Sequence, residues 1–353
     1  MDFYIPLILY ILIVSTLFRK KKWISIVLTI VPLVLFWGTK VNFGSDYFTY
    51  QFWYDRRHEM SVNEFLLDAL EGKFEPGFFF LLKLMPSFNA LVFLQATFLI
   101  ISVYIFFNEF IPHYSLPLAL FLWLYNSSIF NTFSAMRSSF VIGFFLLAIV
   151  AKTRFHYKAS VLLTLAGASF HMSGYLLLLF TILPFDFFKK NRSVLLPIIF
   201  SFIIIALLLS SFFSGLLFYV IEVSDQAASY DYVKEANYGM GFYIYSFVRI
   251  GFILYILSLI KRNLIEDRYI WIAWLTIICY LLMMIQIDIM YRFFNYLFLF
   301  TVAFKCYVLK IDRSSASKIY VGLSIGYALY NLIEYANGRM MEFYAHYHSF
   351  LFQ

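Results

Sequence analysis

The side chains best suited to chemistry are few and widely spaced. Arg137 lies between two strongly apolar runs, 116–130 and 140–151. An arginine there is costly unless it meets water, a carboxylate or an anionic ligand. If Ser134 caps the following helix, Arg137 falls in its first turn, where free backbone N–H groups already attract anions. This pattern favours a diphosphate cradle, and the plainer alternative is an arginine that reaches the membrane interface.

Two carboxylates and one histidine are candidates for proton transfer. Asp46 and Glu75 lie in one long polar segment, and His171 lies in a glycine-flanked polar stretch, 167–174. Histidine is the side chain whose unperturbed charge change falls nearest to neutral pH. Each residue also has a structural alternative: a turn-forming aspartate, a loop charge and a buried core histidine. We therefore treat Asp46, Glu75 and His171 as catalytic candidates and leave open which of them is the base.

Other polar and aromatic residues are candidates for substrate binding. Asp288 and Arg292 are one helical turn apart, so they either neutralise each other or let Arg292 reach a phosphate. Aromatic side chains in the polar segments can stack on sugar rings or anchor the chain at a membrane interface; these are Tyr47, Tyr50, Trp53, Tyr230 and Tyr232. The predicted substrate-binding set is Arg137, Arg292, Tyr47, Tyr50 and Ser173.

No pattern typical of a metal or cofactor site occurs in the sequence. There is no HExxH or DxD motif, and the two cysteines, Cys279 and Cys306, both lie inside apolar segments. A zinc motif and a disulfide framework are therefore excluded. We expect a site without metal or cofactor, because arginine and helix N-termini can stabilise a diphosphate leaving group instead.

The composition indicates the kind of scaffold that must position these residues. Of the 353 residues, 63% are hydrophobic and 13% charged, against about 25% charged in a soluble domain. Continuous apolar runs approach the ~20 residues of a spanning helix, and strand-like alternation is missing. The sequence thus predicts an all-α polytopic integral membrane protein in a lipid bilayer. The net charge of +7 is concentrated in short loops, which does not indicate a nucleic-acid partner.

The basic loops predict the topology. Clusters of Lys and Arg are expected in the cytoplasm; they are 19–22, 152–158, 189–192, 261–268 and 310–318. We predict one transmembrane domain, 1–353, with about 12 transmembrane or broken helices. Two sizeable outer loops cover about 40–87 and 222–240.

Four local predictions matter for the site. An amphipathic stretch, 62–70, and a short apolar piece, 78–85, belong to the first outer loop, and 116–130 forms one crossing. Two short helices meet at His171, because an even number of crossings must separate two basic loops. The alternative is a single crossing that places 189–192 outside and reverses the later helices. With the hairpin, all candidate residues share the outer side, and the tail, 334–353, lies along the interface.

An ordered set of short motifs resembles the EpsG family, the Wzy-like polymerases of bacterial surface polysaccharides. The motifs are Gly44-Ser45-Asp46-Tyr47…Tyr50, Phe74-Glu75-Pro76-Gly77-Phe78, Met136-Arg137-Ser138, Phe170-His171-Met172-Ser173 and Tyr291-Arg292-Phe293. The residue that directly follows Arg137 departs from the family, which often has glutamine where Ser138 stands. The resemblance implies a Wzy- or GT-C-like fold and a substrate made of undecaprenyl-diphosphate-linked oligosaccharides. It also implies inverting, metal-independent glycosyl transfer on the outer face of the bacterial cytoplasmic membrane.

The resulting hypothesis is a polymerase whose Arg137 and Arg292 stabilise the diphosphate leaving group. Candidate protein partners are a flippase and a chain-length regulator. Two other functions are alternatives. A lipid-linked oligosaccharide flippase should show two related halves and charges through the membrane depth, and neither is visible. A membrane O-acyltransferase can also use His171, but its acyl donor should arrive from the cytoplasm.

Overall fold

A computed structural model describes most of the chain: residues 4–18, 20–44, 46–61, 63–64, 75–125, 128–184, 186–191, 198, 201, 240–284, 288–337 and 348–349. Regular structure in these residues is helical except for one pair of two-residue strands, which confirms the predicted all-α fold. The amphipathic stretch 62–70 and the second outer loop, 222–240, fall almost wholly outside the described residues.

The elements follow the chain in three groups. Helices α1 to α5 are Tyr4–Leu17, Lys22–Gly38, Tyr47–Glu59, Pro76–Leu84 and Phe88–Phe110. Helices α6 to α10 are Leu116–Leu124, Ser128–Ser134, Met136–Thr153, Tyr157–Ala168 and Leu178–Ile182, and Met172–Leu177 is a 3₁₀ helix. Helices α11 to α15 are Phe187–Lys190, Met240–Lys261, Asp267–Met283, Asp288–Ile311 and Ser315–Asn337. Strands β1 and β2 are Lys40–Val41 and His348–Ser349, paired antiparallel with Lys40 opposite Ser349.

Several helices have the length and composition of membrane spans. Phe88–Phe110, Met136–Thr153 and Phe293–Ile311 are long and apolar enough to cross a bilayer. Shorter apolar helices, such as Tyr4–Leu17, accompany them. The chain is therefore a membrane protein.

The described residues form two compact units, Met1–Leu183 with Lys305–Gln353, and Pro184–Phe304. In the first unit α8 packs against both α5 and α9, and α2 packs on α5. In the second unit α12 packs on α13. There Arg249, in the middle of α12, donates a hydrogen bond to the carbonyl oxygen of Met283 at 2.8 Å.

The segment 116–130, predicted as one crossing, contains parts of two helices in the structure. Helix α6 ends at Leu124 and α7 begins at Ser128, so α6 is only about 14 Å long. Asn126 and Ser127, which lie outside the described residues, are residue types that disfavour the interior of a helix. The apolar residues on both sides concealed this break.

The predicted hairpin at His171 is present in the structure. Helix α9 ends at Ala168, and the chain returns through the 3₁₀ helix and α10. The ammonium group of Lys152, in the last turn of α8, donates to the carbonyl oxygens of Phe180 at 2.6 Å and Leu183 at 2.5 Å. Both ends of the hairpin therefore lie at the C-terminal end of α8, and α9 carries the tip about 18 Å away from that end.

Candidate active site

The carboxylate of Glu75 joins the two other central candidates. One oxygen, Oε2, is 2.8 Å from Nη1 of Arg137, and the other, Oε1, is 2.7 Å from Nδ1 of His171. Oε1 also accepts the backbone N–H of Met172 at 2.9 Å. The side chains of Glu75 and His171 are only 14% and 10% exposed. Three residues that are far apart in sequence thus form one largely buried cluster.

Each partner reaches the cluster from the end of a helix. Glu75 is the N-cap residue of α4 and has Pro76 behind it, which is favoured at a first helical position. Arg137 is the second residue of α8, so the predicted first-turn placement holds. The prediction that Ser134 caps this helix is wrong, because the N-cap position belongs to Ala135. Ser134 instead ends α7 and accepts the backbone N–H of Asp46 at 3.3 Å.

A close backbone contact brings Glu75 to the hairpin tip. The N–H of Gly77 donates to the carbonyl oxygen of Ser169 at 2.7 Å. A β-carbon at Gly77 would lie 2.8 Å from that oxygen, so only glycine allows this approach. The rings of Phe140 and Phe170 stack at 4.7 Å beside it and fix α8 against the hairpin. The Glu-Pro-Gly motif therefore supplies the carboxylate, the helix start and the contact that positions both.

The charge state of Glu75 determines which group donates the hydrogen bond between Glu75 and His171. Burial alone would raise the pKa of Glu75, but the hydrogen bond from His171, the charge of Arg137 and the N–H of Met172 hold it at about 2. Glu75 is then an ionised carboxylate, which can only accept hydrogen bonds. Nδ1 of His171 must therefore carry a proton and donate it. In the neutral imidazole this leaves Nε2 as the basic nitrogen.

Tyr50 and Asp46 extend the cluster along α3. The Tyr50 hydroxyl lies within hydrogen-bonding reach of Arg137, and its pKa is raised, first by burial, against the lowering effect of the arginine. Its ring meets Phe78 edge-on at 5.4 Å. Asp46 is half-buried at the start of α3 and acts electrostatically on Tyr50. Tyr50 is thus a buried neighbour of Arg137, and Tyr47 packs on Phe88 rather than forming an open sugar platform.

Two buried polar residues that contact α7 and α8 close to Arg137 in sequence were not predicted. Nζ of Lys40 and Nε2 of Gln95 both donate to the carbonyl oxygen of Phe133, at 2.5 and 3.0 Å. Nε2 of Gln95 also contacts Oγ of Ser139 at 2.8 Å. The signal in the sequence was a single glutamine within the apolar run 88–107 and a lysine at the end of another run.

The remaining predicted residues have separate outcomes. Ser173 lies in the 3₁₀ helix two residues after His171, at the hairpin tip. Asp288 and Arg292 belong to the first turns of α14, and their side chains lie outside the described residues. Tyr230 and Tyr232 also lie outside them. The structure therefore brings Asp46, Tyr50, Glu75, Arg137 and His171 together, and the role of Arg292 stays a prediction.

Among the residues that the structure describes, no group of three or more His, Cys, Asp and Glu side chains is arranged to hold a metal ion. The expectation of metal-independent chemistry stays a prediction.

The arrangement combines two chemical capacities. A carboxylate that orients an imidazole is suited to accepting a proton at the far ring nitrogen. A guanidinium in the first turn of a helix is suited to binding an anionic oxygen. Because Glu75 contacts both, proton transfer and anion binding would occur side by side.

Comparison with known proteins gives one positive result. The model of the EpsG family matches residues 22–349. No curated protein and no solved structure matches the chain. The matched region covers nearly the whole chain and includes every member of the cluster, so the protein belongs to the EpsG family.

Proposed function

We propose that this protein is a polysaccharide polymerase of the Wzy type, a glycosyltransferase of the bacterial cytoplasmic membrane. It transfers a growing glycan from undecaprenyl diphosphate to the end sugar of a lipid-linked repeat unit. The observation that carries this proposal is the bridge from Glu75 to both Arg137 and His171 in a member of the EpsG family.

The proposed step uses His171 as the base. Nε2 of His171 accepts the proton of the acceptor hydroxyl while the hydroxyl oxygen attacks the anomeric carbon of the donor sugar. The bond from that carbon to the diphosphate oxygen breaks, and the new glycosidic bond forms with inversion. Glu75 holds the imidazole with Nδ1 protonated and stabilises the positive charge that develops on the ring. A carboxylate with a pKa of about 2 is a poor proton acceptor near neutral pH, which favours histidine over Glu75.

The leaving group is proposed to bind at Arg137. Its guanidinium carries five N–H donors, and the bond to Glu75 uses Nη1. The positive charge of the guanidinium and its position in the first turn of α8 support binding of phosphate oxygens, whose charge increases as the sugar departs. Arg292 is proposed as a second phosphate ligand, and Asp46, Tyr47, Tyr50 and Ser173 as residues that shape the acceptor side.

The reaction is proposed to occur on the outer face, in a chain of about 12 transmembrane or broken helices. Two observations support this orientation. Lys152 begins the basic stretch 152–158, which is expected in the cytoplasm, and lies at the opposite end of α8 from Arg137. The pairing of β1 with β2 brings Lys40 and Val41 next to Ser349 and His348, which supports an outer position for both segments.

Reconstitution tests the proposal. Purified protein in liposomes, incubated with a lipid-linked repeat unit, should lengthen the glycan and release undecaprenyl diphosphate. His171→Gln should reduce lengthening by roughly a hundredfold or more, which is typical for loss of a general base. His156→Gln changes an exposed histidine at the other end of α9 and should leave the rate unchanged. An unaltered rate in His171→Gln would exclude His171 as the base.

Two further conditions separate the alternatives. A chelator should leave lengthening intact, and loss that one divalent ion restores would contradict the metal-independent mechanism. Transport of the repeat unit across the liposome membrane without lengthening would favour a flippase. Transfer of an acyl group instead of a sugar would favour the acyltransferase.

A further inference from the structure

The carbonyl oxygen of Phe133 receives two buried donors. The Lys40 ammonium lies 2.5 Å from it and the Gln95 amide 3.0 Å from it. The two donor side chains belong to residues that are 1% and 0% exposed. Phe133 lies in the last turn of α7, two residues before Ala135, which is the N-cap residue of α8. The donors thus meet at the break between two helices.

This break leaves backbone groups that a continuous helix would satisfy. Oγ of Ser139 contacts the carbonyl oxygens of Thr132 and, at 3.2 Å, Ala135. Nε2 of Gln95 contacts the same Oγ at 2.8 Å. Irregular backbone within a membrane protein is tolerated where protein groups satisfy it. Lys40, Gln95 and Ser139 together supply donors to the carbonyl oxygens of Thr132 and Phe133.

Burying an ammonium group here is costly, which makes a purely space-filling role a poor account of Lys40. Nζ of Lys40 is flanked by the rings of Trp37 and Phe133, with centroids at 5.9 and 6.0 Å. Those two rings stack on each other at 4.2 Å. Burial lowers the pKa of Lys40 to about 7, and the charge of Asp46 opposes that shift. The lysine is therefore kept in a tightly packed aromatic site where it can do little except bind the backbone.

We propose that Lys40 is a positioning residue that, together with Gln95, clamps the Phe133 carbonyl and thereby directs Arg137 toward Glu75. Phe133 precedes Met136, the first residue of α8, by three residues, so movement of this carbonyl is expected to move the start of α8, where Arg137 lies. This proposal rests on the proposed function in one respect, namely the ligand that Arg137 binds. The clamp itself concerns only the contact between Arg137 and Glu75, and it can be tested without a ligand.

The ligand-independent experiment is a cycle of thermal stability measurements on the full chain in lipid nanodiscs. Arg137→Ala and Glu75→Gln, singly and combined, give the coupling between these side chains as the non-additive part of the shift in melting temperature. The same cycle is repeated in a Lys40→Met background. The clamp predicts that the non-additive part is lost there. Retention of the full coupling would overturn the proposal.

The chain provides a matched control. Lys152 is also a buried lysine bound to backbone carbonyl oxygens, but at the opposite end of α8. Lys152→Met should lower the melting temperature and leave the Arg137–Glu75 coupling in place. Loss of coupling in both backgrounds would show a general loosening and would contradict a specific clamp. If Lys40→Met does not fold, Gln95→Leu removes the second donor and is judged by the same criterion.

A second measurement links the clamp to function. Undecaprenyl diphosphate is used as the binding probe. Lys40→Met should weaken its binding roughly tenfold to a hundredfold, as expected when a binding group is displaced by about an ångström. In an Arg137→Ala background, Lys40→Met should have no additional effect, and an undiminished effect would contradict action through Arg137. If the wild-type protein does not bind the probe, the proposed ligand is wrong, and the stability cycle still decides the clamp.

Discussion

The two ends of α8 use basic residues in different ways. At the C-terminal end the Lys152 ammonium contacts three backbone carbonyl oxygens, those of Phe180, Thr181 and Leu183. An ammonium has three N–H donors, so backbone partners occupy it fully. At the N-terminal end Arg137 binds a side-chain carboxylate, which is itself shared with a histidine. The first arrangement fixes a hairpin, whereas the second connects a guanidinium, a carboxylate and an imidazole, the groups proposed for anion binding and proton transfer.

A second pair at the C-terminal end completes the comparison. Arg154, just beyond α8, binds Glu109 through Nε at 3.1 Å. It has the same chemistry as the pair of Arg137 and Glu75, but the Arg154 side chain is 55% exposed, against 24% for Arg137. Ion-pair chemistry alone therefore does not define the site. Burial and the connection to His171 do.

The largest effect is expected from Arg137. Arg137→Lys keeps the charge but loses the planar fork that can grip two phosphate oxygens, so it should behave almost like Arg137→Ala. Loss of one charged contact in a site shielded from water costs about 3 kcal/mol, roughly a hundredfold in rate. The reconstituted rate of glycan lengthening measures this effect.

The outcome in cells is a further check on the same change. Lipid-linked single repeat units should accumulate on the outer face, because flipping precedes polymerisation. Accumulation on the inner face would instead favour transport, and normal polymer length would show that Arg137 is only an interfacial anchor.

Lys152→Met should affect stability more than chemistry. It leaves three carbonyl oxygens at the end of the hairpin without their donor. An unsatisfied buried polar group costs about 1–3 kcal/mol, so the melting temperature should fall clearly. Per folded molecule, the lengthening rate should fall less than in Arg137→Ala. A normal melting temperature would contradict the structural role assigned to this lysine.

The sequence predicted the helices that are long and continuously apolar. Helices α5 and α8 have uninterrupted apolar sequences that are long enough to span a membrane, and such sequences are easily recognised. The end of α6 at Leu124 was missed, because 116–130 contains only a few polar residues and its overall hydropathy is that of a membrane span. The pairing of β1 with β2 joins residues about 300 positions apart, and no local pattern indicates such a contact.

The individual residues of the site were predicted from the sequence, but the contacts between them were not. Glu75, Arg137 and His171 were identified from residue type, position and resemblance. That one carboxylate bridges the other two depends on the Gly77 contact with Ser169, which is a matter of tertiary packing. Lys40 was taken only as the beginning of an outer loop, although a lysine directly after an apolar run is a signal of partial burial.

The pH dependence of stability tests the network at the N-terminal end of α8. The folded-state pKa of Glu75 is about 2, below its ordinary value of 4.5. A depressed carboxyl pKa contributes stability that is complete above about 4.5 and lost as the pH falls toward 2. The melting temperature of the wild-type protein should therefore fall over this window. Glu75→Gln should show a weaker dependence there, and an identical dependence would contradict the ionised bridge.

The smallest effect is expected from the exposed pair at the other end. Arg154→Ala removes the bond to Glu109, but water can solvate both groups and screens their attraction. Exposed ion pairs contribute about 0–1 kcal/mol, so the melting temperature should change by only a degree or two. The lengthening rate should equal that of the wild-type protein. If Arg154→Ala reduced the rate as strongly as Arg137→Ala, positive charge at either end of α8 would suffice, and the buried bridge to His171 would not explain the activity.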